Sequence, residues 1–281
     1  MMPEHPLFAA LAPYRALLAA RDLDRMSALL AERTGGHPSR FAAQTAALLG
    51  DGLHYELRIA ERGVVATREA STHDLFNAAM WLAHPRLKQA MNVRQAADVV
   101  RVGAKQRTRG QCALTHFDEA GAIVWVDGAD LVAAWDAHDW HALFGAHRDA
   151  WGARIALTIV GHALCDYALT HRDMPVAKAL AVRADRDRIA ALSQDAQIAA
   201  WPAVEAAVAA DIATGRLLAD PQELRPLPLA GVPGWALFDA GAPCFRPLRT
   251  GRTYPAPQAP GGQVVGRPFA CATALDEAAV R

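Results

Sequence analysis

The stretch QCALTHFDEAGAIVWV, residues 111–126, decides how the rest of the chain is read. Two runs that alternate in polarity or carry β-branched residues flank Asp118-Glu119-Ala120-Gly121, and Gly121 suits the left-handed position of a short loop. The spacing predicts a β-hairpin over 111–126 and, with it, a small antiparallel sheet. A second hairpin is predicted over 54–68, where HYELRIAERGVVATR alternates around Glu-Arg-Gly. VAKALAVRA, residues 176–184, has the composition of a buried strand.

Outward from these strands the pattern is helical. Segments 6–21, 22–33 and 39–50 form the first group, with GGHP at 35–38 as a break and Ser39 as the cap of the third helix. THDLFNAAMWLAHPRLKQAMN, residues 72–92, starts a helix at Thr72 or His73, with Thr72 placed to cap it. Pro85 cannot sit in a helix interior without losing a hydrogen bond, so it opens a second, short helix. Phe76, Ala79, Met80 and Ala83 share one face of the first helix, with His73 and Asn77 four apart at its edge and Trp81 beside them. Further helices are predicted over 128–137, 139–149 and 155–169, then a long alanine-rich one over 187–215, interrupted near Trp201-Pro202.

The fold class expected is α+β: a mostly helical single domain with a small, largely antiparallel sheet and an extended C-terminal wrap. Residues 1–50 form a helical segment packed on the core and 51–220 the main domain. Residues 221–250, rich in proline, glycine and aromatics, wrap over it, and 251–281 form a flexible tail.

Composition excludes several classes of function. Lysine plus arginine equals aspartate plus glutamate at 29 each, so no net field draws in nucleic acid or an anionic membrane. Cys112, Cys165, Cys244 and Cys271 lie far apart with no C-x-x-C pair, against a zinc ribbon or a disulfide-stapled fold. The N-terminal residues lack a basic region followed by an unbroken apolar core. The longest apolar run, IALTIVGHALCDYAL (155–169), contains His162 and Asp166 and is too short to span a bilayer. A cytoplasmic protein is expected. G-x-x-x-x-G-K-[ST], G-x-G-x-x-G, G-x-S-x-G and H-E-x-x-H do not occur, which removes the usual support for P-loop, Rossmann, α/β-hydrolase and zincin chemistry.

The chemistry-bearing residues fall into groups. His162 and Asp166 are four apart in an apolar segment: an oriented general base, two metal ligands on one helical face, or a mutually satisfied core pair. Asp74 in a first helical turn favours the helix dipole, an excuse that His73 and Asn77 lack. Asp118 and Glu119 are turn formers unless the predicted hairpin tip folds over the helices. His138, His141 and His147 read as a solvated face, whereas Arg148 near Trp151 suits anion recognition.

Taken together, Tyr55-Glu56, the 73–92 block, LTHFDEAG (114–121), the Trp140–Trp151 block, GHALCD (161–166) and LPLAGVPGW (227–235) with CFRPLR (244–249) resemble a bacterial family catalogued as domain of unknown function 3025. The resemblance covers roughly residues 50–250 and implies an intracellular proteobacterial protein without implying an activity. It places His73, Asp74, Asn77, Trp81, Pro85, Lys88, Asn92, Asp118, Glu119, Arg148, Trp151, Gly161 and His162 on the family's pattern. Gln111-Cys112 stands where the pattern has Arg-Asp, and Asp166 where it has a glutamate.

The expected function is an enzyme, a hydrolase or transferase acting on a small anionic substrate. His162, Asp166, His73 and Asp118 are its catalytic candidates, with His162 a base oriented by Asp166. Asn77, Lys88, Asn92, Arg148 and Trp81 would bind substrate. A divalent metal, for which His73, Asp74, His162, Asp166 and Glu119 are the candidate ligands, fits the same groups. The rival is a non-catalytic ligand-binding or regulatory protein whose polar cluster is a structural network. One shared site requires His73 and His162 within about 12 Å of each other, the joint reach of one small substrate.

Overall fold

The computed structural model describes residues 2–171, 174–193 and 197–235. The chain begins with a 3₁₀ segment, Pro6–Tyr14, followed by α1 (Arg15–Ala20), α2 (Leu23–Thr34), β1 (Arg40–Ala43), α3 (Ala46–Leu49), α4 (Tyr55–Arg62) and β2 (Val64–Thr67). Next come α5 (Thr72–Ala83), α6 (Pro85–Val102), α7 (Arg109–Ala120), β3 (Gly121–Val126), α8 (Ala129–Asp136), β4 (Ile155–Ile159) and α9 (His162–Thr170). The last elements are β5 (Val176–Arg183), α10 (Arg186–Ser193), α11 (Gln197–Ala213) and β6 (Arg225–Pro228). The α+β class and the helical majority are as expected. No helix among the described residues is long and apolar enough to cross a membrane.

Both predicted hairpins are corrected. Residues 111–120 belong to α7, started by a capping box in which the Thr108 hydroxyl accepts from Gln111 N and the Gln111 side chain accepts from Thr108 N. Gly121 is extended, with φ −74°, and the chain passes straight from α7 into β3. Likewise 55–62 is helical, and Gly63 (φ +62°) is its left-handed C-terminal stop rather than a hairpin turn. Three further differences share one cause, a strand masked by apolar residues that also suit a helix. Residues 40–43 form β1 and pair in parallel with β2, residues 155–159 form β4, and Gly161 separates β4 from α9. α11 runs through Trp201-Pro202, and α6, opened by Pro85, extends to Val102.

The larger sheet has the order β4-β3-β5-β6, antiparallel at both outer pairs and parallel between β3 and β5. With the parallel β1–β2 ribbon, "largely antiparallel" describes only part of the pairing. All six residues of β3 are buried because both faces are covered. Ala122, Val124 and Val126 pack with Phe8, Phe76 and Trp135 on one face, whereas Ile123 and Trp125 pack with Leu114, Phe117 and Ile212 on the other. The sheet is thus the middle of three layers. α5 and the N-terminal 3₁₀ segment lie on one side, and α6, α7, α10 and α11 on the other.

The Leu7, Phe8 and Leu11 side chains belong to the same core as α5, so the segment before residue 51 contributes to the domain's interior. α6 has no side-chain cap of its own. Glu205 of α11 accepts from Leu87 N at 3.0 Å and caps it from outside. Of the predicted wrap, Arg225–Pro228 pairs with β5, and Trp235 O accepts from His5 at 2.9 Å. Residues 236–250 of that wrap and the whole predicted tail lie outside the described residues.

Candidate active site

Two glycines bring the site together. The junction between α7 and β3 crosses the junction between β4 and α9 so closely that Val160 N and Gly161 N both donate to Gly121 O, at 3.0 and 2.8 Å. A Cβ on Gly161 would lie 2.3 Å from Gly121 N, and one on Gly121 would lie 2.1 Å from Phe117 O. Neither position needs positive φ; the demand is for space. The crossing sets the last turn of α7, with Asp118 and Glu119, against the first turn of α9, with His162. α9 also packs on α5, which supplies His73 and Asn77. Ser71, one residue before the predicted Thr72, caps α5 by accepting from Asp74 N at 3.2 Å.

At the surface end of this junction three donor atoms face one point. His73 Nε2 and His162 Nε2 are 3.0 Å apart, and Glu119 Oε2 lies 3.6 Å from the first and 3.5 Å from the second. The two histidines are therefore well inside the joint reach that one site requires. The His162 side chain is 4% exposed, whereas those of His73 and Glu119 are 33% and 45% exposed, so a buried wall meets an open mouth. Burial pushes His162 down to about 4, although the Asp118 carboxylate pulls the other way. The imidazole is neutral at neutral pH, with a lone pair to give. Burial raises Glu119, helped by the negative charge of Asp118 and opposed by His73.

Asp166 is placed differently from the expectation. Its carboxylate stands 3.8 Å from Nδ1 of His73, on the far side of that ring from the three-atom point, and does not bond His162. The i, i+4 spacing on α9 misleads because His162 is the first residue of the helix and turns toward α5 and α7. Asp74 is also elsewhere: it accepts from Arg68 N, Nε and Nη2 at 2.7–2.9 Å and from the Ser71 hydroxyl at 3.1 Å. That clamp holds its carboxyl below the usual range despite partial burial.

Beneath the mouth lies a second polar layer whose bonds are internal. Lys88 Nζ donates to Asn77 Oδ1 at 2.7 Å and to the Asp118 carboxylate, and sits 5.4 Å from the Trp81 ring centre. Asn77 Nδ2 donates to the Tyr55 hydroxyl at 3.1 Å. Asn92 Nδ2 donates to Glu56 O and Oε2, and Gln95 Nε2 to Glu56 Oε1. Burial raises Glu56 to about 7. Burial would also raise Asp118, but Lys88 and His162 outweigh it and keep the carboxyl low.

Of the predicted substrate-binding residues, Asn77, Lys88 and Asn92 are thus bonded within the protein, and Trp81 is a buried floor. Arg148 is exposed in a 3₁₀ turn, Arg148–Ala150, with no bond to the cluster. Tyr55, Glu56 and Gln95 belong to the lower layer, although sequence reasoning assigns them no site role. Local signals for them exist: Tyr55-Glu56 is a polar pair opening an amphipathic segment, and Gln95 lies one turn after Asn92. A cavity of about 290 Å³ lies elsewhere, between the first 3₁₀ segment, the α5–α6 junction and β4. Its buried Glu205 is the cap of α6, and its His84 bonds Ile159 O at 3.0 Å, so these two groups serve the fold.

A family model described as protein of unknown function (DUF3025) matches residues 39–249, and the chain belongs to that family. No curated protein and no solved structure matches the chain. The match spans every side chain of both polar layers.

Proposed function

We propose that this DUF3025 member is an enzyme, a hydrolase or transferase that activates water or a substrate hydroxyl at the His73–Glu119–His162 mouth. The observation that carries the reading is the convergence of two imidazole nitrogens and one carboxylate oxygen, from three separate helices, at a partly open surface. Such a point can take a proton from an attacking hydroxyl and return it to the departing group, or hold a cation that acidifies the hydroxyl. Lys88 is neutralised by Asp118 and Arg148 lies apart, so among the described residues neither of these two cations is free to meet an anionic substrate at the mouth. A cation bound at the mouth would supply the missing charge. Cys112 and Cys165 are free thiols, which suits a reducing cytoplasm.

The rival reading, a non-catalytic protein with a structural cluster, draws its support from the lower layer, where Lys88, Asn77, Asn92, Gln95 and Glu56 each find a protein partner. Turnover of a panel of chromogenic phosphate, sulfate and carboxylate esters separates the two. The expected result is hydrolysis of at least one ester, with kcat/KM reduced about 100-fold or more in Glu119→Gln, as expected for a group acting at the reacting centre. Hydrolysis that Glu119→Gln leaves unchanged, or none across the panel, favours the structural reading.

A further inference from the structure

The geometry points to His73 Nε2, His162 Nε2 and Glu119 Oε2 as the protein ligands of one divalent transition-metal ion, zinc being the best match. This deepens the enzyme reading. Its Lewis-acid role rests on that reading, whereas ion binding does not. Separations of 3.0, 3.5 and 3.6 Å define a triangle whose corners are all about 2.0 Å from a common centre, the bond length zinc takes with histidine nitrogen and carboxylate oxygen. In a tetrahedral site with such bonds the ligand atoms stand about 3.3 Å apart, close to the mean of the three observed separations. The ion would sit slightly out of the triangle's plane, leaving its fourth position on the exposed side for water or a substrate oxygen. Among the described residues, this is the one group of three or more histidine, cysteine, aspartate and glutamate side chains close enough to share an ion.

The surroundings support the assignment. Two imidazoles and a carboxylate are the borderline donors that select zinc over magnesium or calcium, which take oxygen ligands. Ligation through Nε2 requires the proton of His73 on Nδ1, and the Asp166 carboxylate, 3.8 Å from that atom and beyond a direct hydrogen bond, favours the proton there by its charge. Asp166 is therefore a positioning residue, and His162 is a ligand rather than the general base. A direct imidazole–imidazole hydrogen bond also accounts for the 3.0 Å contact, but not for the near-equal approach of Glu119 Oε2 to both ring nitrogens, at 3.6 and 3.5 Å.

The test uses full-length, EDTA-stripped protein titrated with zinc chloride against a chromogenic chelator, and with cobalt chloride followed by visible absorption. The expected result is one ion per chain, with cobalt giving the intense spectrum of a four-coordinate site. Glu119→Ala, at an exposed position that leaves the fold intact, lowers affinity at least about 100-fold, and Asp166→Asn lowers it about tenfold. Nitrogen-15 imidazole spectra shift at Nε2 of both histidines on adding zinc. Saturation at fewer than about 0.1 ion per chain, affinity unchanged in Glu119→Ala, or shifts confined to other histidines overturns the site. A zinc-loaded chain that turns over no ester removes the enzyme reading alone, and an active chain that binds no ion removes the metal alone.

Discussion

Replacing Gly161 with alanine tests how the site is assembled. The added Cβ would meet Gly121 N at 2.3 Å and both Ala120 C and Cα at 2.6 Å, all main-chain atoms that no rotamer change can clear. Ordinary contacts with carbon begin near about 3.5 Å, so the two junctions must separate by about 1 Å. Overpacking of this kind costs about 1–3 kcal/mol. The bonds from Val160 N and Gly161 N to Gly121 O span the same gap, and stretching both adds about 1 kcal/mol. A loss of about 3 kcal/mol is expected, read as a lower midpoint in urea with an unchanged slope. Gly145→Ala is the control, because a Cβ there meets nothing within 4 Å and its backbone is not in the left-handed region. It should stay within about 0.5 kcal/mol of wild type. Because the same gap separates Glu119 from His162, Gly161→Ala should also weaken zinc binding at least about tenfold. Equal midpoints for wild type and Gly161→Ala would refute the close-approach account.

Other substitutions probe the lower layer and the helix that carries it. Lys88→Met leaves the Asp118 carboxylate without its cation and should cost about 3 kcal/mol in chemical denaturation. Adding Asp118→Asn should recover part of that loss, and a strictly additive double variant would deny the pairing. Glu56 has a folded-state pKa of about 7 against an ordinary value of 4.5, so the native state binds the extra proton between those pH values. Its contribution to stability should therefore fall by about 2–3 kcal/mol as pH rises from 4.5 to about 7 and level off above that, alongside a similar fall from Glu205 and the opposite rise from His84 and His162. The difference between wild type and Glu56→Gln in urea melts at several pH values should show that fall, and an identical profile counts against the buried carboxyl. Glu205→Ala removes the external cap of α6 and should cost about 1–2 kcal/mol by thermal unfolding, whereas an unchanged melting temperature would dismiss the cap.

Legibility along this chain obeys a physical rule: signals that act locally and agree can be read, and those set by meeting elements cannot. α5 and the start of α6 are readable because an apolar stripe, a hydroxyl before Asp74 and a proline after His84 point the same way. α7 is hidden by its own role: Asp118, Glu119 and Gly121 look like turn chemistry, yet the acids belong to the site and the glycine is a crossing point. The Thr108-x-x-Gln111 capping box is the local cue that overrules the hairpin. β1 and β4 escape because strands buried on both faces or packed as short ribbons lose the alternation that marks a half-exposed strand. His73, Asp118, Glu119 and His162 are all recognisable as chemically unusual residues. Their partners are not, since Asp166 with His73 and Lys88 with Asp118 are set by which helix ends meet, and no periodicity encodes that.

The two polar layers differ in what they have left to bond. In the lower one, each bond joins different helices: Lys88 of α6 to Asn77 of α5 and Asp118 of α7, Asn77 to Tyr55 of α4, and Asn92 and Gln95 of α6 to Glu56 of α4. Breaking any of these except the exposed Asn77–Tyr55 bond strands a buried or partly buried partner, so the network fixes four helices in a single register. No helix supplies two of the three atoms at the mouth. The His73–Glu119–His162 triangle therefore exists only while that register and the Gly121–Gly161 crossing hold. A network selected for stability alone gains nothing from ending in a partly exposed carboxylate oxygen held within 3.6 Å of two imidazole nitrogens. A rigid floor beneath a cation-sized triangle is what preorganised binding requires, because the floor bears the cost of holding ligands about 3.3 Å apart before the ion arrives.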